Sequence, residues 1–195
     1  IIFAACSQSL QNLHLVKQQI IEYHESGQFD KETNKVINEA IKKFSKVTIT
    51  HTSAVVFDVD ETALSNYEHI VEHDFGYIPP LWNKWVLEAR APAIEPVLTL
   101  YNYLADKDVK FIFLTGRSFD QHDATVYNLK NVGFTTFDTL ITRGENERKL
   151  SALEFKSKKR LDLTEKGYDI IGSVGDQWSD LEGPYSGIQV KIPNY

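Results

Sequence analysis

The stretch AVVFDVDETALSN, residues 54–66, sets an apolar run from Ala54 to Phe57 directly against two carboxylates, Asp58 and Asp60, with Glu61 beside them. A short run that is apolar on consecutive positions, two of the four here β-branched, reads as a strand covered on both faces, the situation of a central strand in a parallel sheet. Ligands of such sheets bind beyond the carboxyl ends of the strands. The placement of the acids therefore predicts both a fold and the edge at which its chemistry lies.

Four further β-rich runs follow, at residues 109–114, 137–141, 168–174 and 188–192, and helices are expected around 94–104 and 120–131, the latter closed by Gly133. This alternation predicts a doubly wound α/β fold with a mainly parallel sheet and flanking helices. The first 46 residues read as an N-terminal segment with a helical pair that packs on the core. Leu10, Leu13, Ile20 and Ile21 share one face of the first helix, which stops at Gly27. Asp30 is placed to cap the second, whose stripe is Val36, Ile37, Ala40, Ile41 and Phe44. Residues 47–195 form the core domain, with a cap-like insertion at about 62–92. The insertion carries Tyr67, Phe75, Tyr77, Trp82 and Trp85, rings that either stack on a substrate group or fill a second small core.

Composition excludes several classes of function. A chain of 195 residues with 42% hydrophobic content buries a core of its own. Its net charge of −6, from 21 basic and 27 acidic residues, leaves no broad basic face for a nucleic-acid polymer, so any phosphate is met at a point. No stretch approaches the roughly 18 apolar residues of a membrane span. The single cysteine, Cys6, allows no intramolecular disulfide. Its setting, IIFAACS, resembles the cleavage site of bacterial lipoproteins, which makes Cys6 a candidate lipid anchor and implies a periplasmic or outer-membrane location. An ordinary buried cysteine is the alternative, and the location is then secreted or open.

The other strand ends carry polar groups as well. FLTGRS places Thr115 and Gly116 at the end of the second run, where a hydroxyl and free amides hold an anion. SVGDQWSD offers Asp176 and, four residues on, Asp180, and EFKSKKR offers the cation of Lys156. Carboxylates held close together repel unless a cation sits among them, and hard oxygen ligands suit Mg²⁺, which also takes substrate phosphate. An Asp beside such a metal can attack phosphorus to give an aspartyl phosphate, and a second Asp can move the protons. Arg117 either contacts substrate or pins the loop by ion pairing, and His51, His69, His73 and His122 lack metal-ligand spacing and read as surface or packing residues.

FDVDETALSNYEH, FIFLTGRS, FKSKKR and GDQWSDL, in that order, resemble the haloacid dehalogenase (HAD) superfamily, and within it the class C, outer-membrane lipoprotein-like acid phosphatases, to which plant vegetative storage proteins are related. The resemblance implies a Rossmann-like, HAD-type core and a Mg²⁺-dependent phosphatase acting on small organic phosphomonoesters such as nucleotide monophosphates. It implies Asp58 as nucleophile and Asp60 as general acid/base, with the Asp60 main-chain carbonyl also on the metal. It further implies Thr115, Gly116 and Lys156 at the phosphate, Asp176 as a metal ligand, and Asp180 supporting the metal's waters. Phosphotransfer to an alcohol and a non-catalytic storage or binding role are the alternatives, whereas a carbon dehalogenase has no use for Asp60 or a metal.

Overall fold

The computed structural model of the protein describes residues 11–195, so Cys6 and Leu10 lie outside the described residues. In chain order the elements are helices α1 (Leu13–Glu25) and α2 (Gln28–Phe44), strand β1 (Ser53–Phe57), and helices α3 (Tyr67–Glu72), α4 (Pro79–Glu88) and α5 (Glu95–Ala105). Strand β2 (Lys110–Ser118), helix α6 (His122–Asn131), strand β3 (Thr139–Arg143) and helix α7 (Ala152–Glu165) follow. Strand β4 (Asp169–Gly175), the single turn α8 (Trp178–Leu181) and strand β5 (Ile188–Lys191) complete the chain. The five strands form one sheet in the order β3-β2-β1-β4-β5, and every pair is parallel.

Alternation of side chains explains why β1 is apolar throughout. Val55 and Phe57 face one layer with Ile37, Ala40, Phe44, Leu100 and Leu104, contributed by α2 and α5. Ala54 and Val56 face the other with Ile112, Leu114, Phe155 and Leu163, where α7 covers the sheet. Helix α2 is thus part of the main core. Its Phe44 ring fills the space over Gly172 of β4, where an added Cβ would lie 2.4 Å from a ring carbon.

Three local expectations are corrected. Asp30 does not cap α2: the helix starts at Gln28 behind Gly27, whose φ of 76° is left-handed, and Asp30 sits in the first turn, where its charge suits the helix dipole. No residue of α1 is buried, and Leu13 is 67% exposed, because this helix lies outside α2 and meets the rest of the chain through Tyr23 and His24. Strand β2 does not stop at Leu114 but runs to Ser118, which still pairs with Arg143, and a short 3₁₀ turn at Phe119–Gln121 precedes α6.

The chain winds outward from β1 to β2 and β3, then returns to the opposite side of β1 for β4 and β5. The reversal puts the carboxyl ends of β1 and β4 side by side, the position at which such sheets open a crevice. Helices α3 and α4 of the insertion stand between β1 and α5, and α4 leans on α6. Among the described residues no helix is long and apolar enough to cross a membrane.

Candidate active site

Asp58 is the first residue beyond β1, and its amide still bonds the carbonyl of Val174 in β4 at 2.9 Å. Asp176 is the first residue beyond β4, and Asp180 follows on α8. Carboxylate oxygens of Asp58, Asp176 and Asp180 lie within 4.8 Å of one another, and all three residues are buried. Lys156, also buried and four residues into α7, donates to Asp58 at 2.5 Å and to Asp180 at 2.5 Å. The neighbouring Lys159 turns away to Glu147 at 2.7 Å, so the FKS lysine alone enters the cluster from this helix.

The electrostatics of the cluster follow from this packing. Burial pushes the carboxyl of Asp58 well above the usual range; Lys156 opposes that rise, while Asp180, Asp176 and Asp60 add to it. Burial also raises Asp176, with help from Asp180 and against the amide donors of Asn194 and Gln177. Burial works against the ammonium of Lys156, yet Asp58 and Asp180 beside it prevail and push it up to about 12. With all three acids ionised, one lysine would leave two negative charges uncompensated, and burial together with that repulsion raises Asp58 and Asp176. An all-oxygen donor set with that deficit fits a divalent hard cation, held by Asp58, Asp176 and Asp180.

The turn after β1 is tight: the amides of Thr62, Ala63 and Leu64 all point at the carbonyl of Val59, and Glu61 takes a left-handed φ of 53°. Thr62 donates to Asp176 at 3.2 Å. Glu61 folds back on Asn66, accepting from its amide at 2.7 Å and its side chain at 3.1 Å; burial and the nearby Asp60 push Glu61 up to about 8.

Asp60 lies apart from the three clustered carboxylates. Its Oδ1 accepts from Arg117 Nη2 at 2.6 Å and from Asn66 at 2.9 Å, and Arg117 Nε reaches Oδ1 and Oδ2 at 3.1 and 3.2 Å. The oxygen left with weaker bonds is Oδ2, which meets only Arg117 Nε and the Thr115 hydroxyl at 3.4 Å. Arg117 is buried, with a further bond to Thr125 at 3.0 Å, so of its two readings the structure supports the one in which it pins the loop. Thr115 is wholly buried within β2, three residues before its end at Ser118, and Gly116 is exposed beside it.

The insertion divides its rings between the two readings. Trp85 is buried and donates its indole N–H to Asn66 at 2.8 Å, as a core residue does. Tyr77 and Trp82 instead border an open recess with Asp60, Asn83, Gly116, Arg117 and Gln121. His69 is buried among Trp82, Trp85 and His73, a packing histidine as expected.

Sequence reading gave no role to Thr62, Asn66, Arg160 or Asn194. Asn66 and Thr62 lie in the quoted DETALSN motif, a signal that was present. Arg160 is fully buried one turn after Lys156 and donates to the carbonyls of Asp180 at 2.7 Å, Pro184 at 3.2 Å and Glu182, which holds the loop carrying Asp180.

Residues 4–195 match the sequence model of HAD superfamily, subfamily IIIB (Acid phosphatase). The chain is 35% identical over 178 residues to a stem 31 kDa glycoprotein of Glycine max, covering 89% of this chain and 70% of that protein. It is 39% identical over 143 residues to acid phosphatase 1 of Solanum lycopersicum, covering 71% of this chain and 56% of that protein. Among solved structures, a class C acid phosphatase from Bacillus anthracis with tungstate bound superposes with a TM-score of 0.69 at 28% identity, over 87% of this chain and 73% of that one.

Proposed function

This chain belongs to the acid phosphatases of HAD subfamily IIIB, phosphoric monoester hydrolases, and from that premise we propose that it hydrolyses small organic phosphomonoesters, nucleotide monophosphates among them, through an aspartyl phosphate on Asp58. The observation that carries this reading is the convergence of Asp58, Asp176, Asp180 and Lys156 in one buried cluster at the ends of β1 and β4. Asp58, Asp176 and Asp180, joined on the family resemblance by the Asp60 main-chain carbonyl, would hold Mg²⁺, which when bound would supply positive charge to the phosphoryl oxygens.

The chain's own residues perform the bond changes. Lys156 holds Oδ1 of Asp58, which leaves Oδ2 to attack phosphorus while the bond to the leaving oxygen breaks. Asp60, oriented by Arg117 and Asn66, gives that oxygen a proton from Oδ2. Water then attacks phosphorus, its proton returns to Asp60, and the bond to Asp58 breaks to release phosphate. The Lys156 ammonium, the Thr115 hydroxyl and the Gly116 amide offset charge on the equatorial oxygens. The recess bordered by Tyr77 and Trp82 takes the leaving group, where a ring can stack.

The test is hydrolysis of p-nitrophenyl phosphate with Mg²⁺ from acidic to neutral pH, by the chain and by Asp58→Asn. Turnover by the native chain and none by the variant supports the reading. No turnover by either favours a storage or binding role, and phosphate recovered on an added alcohol marks the phosphotransferase.

A further inference from the structure

Asn194, three residues beyond the end of β5, reaches into the acidic cluster. After β5 the chain keeps close to the end of β4, with the amide of Ile192 bonded to the carbonyl of Gly175 at 2.8 Å. This brings the side-chain amide of Asn194 onto Oδ2 of Asp176. We propose that Asn194 is a positioning residue for the metal-binding carboxylate of Asp176, and that α1 and α2 serve the site by holding the segment after β5 that carries it. The proposal rests on the reading that the acidic cluster takes a divalent cation.

Asp176 has three side-chain donors, and they are not equivalent. Gln177 reaches Oδ2 at 3.0 Å, but it is the next residue on the same loop and moves with it. Thr62 reaches Oδ1 at 3.2 Å from the turn after β1. Asn194 comes from the segment that follows β5, the sheet's edge strand, so it ties Asp176 to β5 rather than to its own loop. An amide suits this task. It orients the carboxylate without adding a cation that would compete for the same oxygens, as a lysine would.

The segment after β5 is itself held. Tyr195 packs edge-on against Tyr23 of α1, with ring centroids 5.1 Å apart, and its hydroxyl meets Glu32 of α2 at 3.3 Å. The hydroxyl of Tyr23 reaches the same Glu32 oxygen at 2.8 Å. Two helices that carry no reactive group of their own thereby grip the residue next to Asn194.

The experiment is calorimetric titration of Mg²⁺ into the full chain and its Asn194→Leu and Tyr195→Ala variants, with the melting temperature of each taken free of divalent ions. Asn194→Leu keeps the size of the side chain and removes its donors. Its Mg²⁺ affinity is expected to fall by about tenfold to a hundredfold with the metal-free melting temperature within a few degrees of the native value. Tyr195→Ala, which removes the contacts to Tyr23 and Glu32 and leaves Asn194 in place, is expected to fall by less. Native affinity in Asn194→Leu overturns the proposal, as does a loss that only tracks a lowered melting temperature. If Asn194→Leu does not fold, Tyr195→Ala decides, and its unchanged affinity overturns the proposal. A native chain that binds no Mg²⁺ instead sinks the reading of the site beneath it.

Discussion

The ammonium of Lys156 lies 2.5 Å from a carboxylate oxygen of Asp58, and both side chains are less than a tenth exposed. A buried pair of this kind contributes little net stability when intact, yet losing one partner leaves charge in a low-dielectric site. Lys156→Met should therefore cost on the order of 3–5 kcal/mol in urea unfolding without divalent ions. Added Mg²⁺ should return part of that loss, and turnover should fall by roughly 10²-fold or more. Unfolding curves that superpose on the native ones would remove Lys156 from the charge balance of the cluster.

Asp58→Asn is expected to abolish p-nitrophenyl phosphate hydrolysis while the fold survives. The substitution keeps the shape of the side chain and removes one of three mutually repelling acids, and Lys156 retains Asp180 as its partner. Circular dichroism and thermal melting check the fold, and phosphate release checks the chemistry. Rates near native in this variant would disqualify Asp58 as the nucleophile. Chelation of the native enzyme with EDTA should likewise stop turnover and Mg²⁺ should restore it, whereas full activity after exhaustive chelation points to a metal-free hydrolase.

What could be read in the chain depended on how local its physical signal was. The central strand was legible because a strand covered on both faces is apolar on consecutive residues, as in Ala54 to Phe57, whereas the edge strands β3 and β5 are only partly buried and showed as short β-rich runs. The end of β2 was not, because its last residues are polar and their pairing with β3 is a relation to Arg143 far along the chain. Likewise the acids Asp58, Asp176 and Asp180 announced themselves at strand ends, but the partner of Asp60 stands 57 residues away and only the fold brings it near. Leu13 misled because a helical stripe says which residues share a face and not whether that face is covered.

Arg117 gives a sharper test of that long-range pairing. Its guanidinium grips both oxygens of Asp60 and also holds Thr125, a fork that an ammonium does not reproduce. Arg117→Lys should keep the charge and still lose about tenfold to a hundredfold in kcat, through a misplaced Asp60, with a smaller change in KM. A lysine variant with native kcat would show that charge alone suffices at this position.

His69 predicts how the fold responds to acid. Burial holds its imidazole below the ordinary value, His73 and Arg90 push the same way, and Glu72 and Glu88 push back. In the unfolded chain the same group takes its proton near pH 6.5. Below that pH the unfolded state binds a proton that the folded state does not, so stability falls as the pH drops through about 6.5 toward the depressed folded value, and the contribution is intact above it. His24, stacked between Phe29 and Tyr67 and lowered by its own burial, acts in the same direction. His69→Asn cannot take up the proton, so its unfolding free energy should decline less between pH 7.5 and 5 than the native one, other groups being common to both chains. Urea unfolding at the two pH values measures the difference, and equal declines in the two proteins would mean that His69 keeps an ordinary affinity for its proton within the fold.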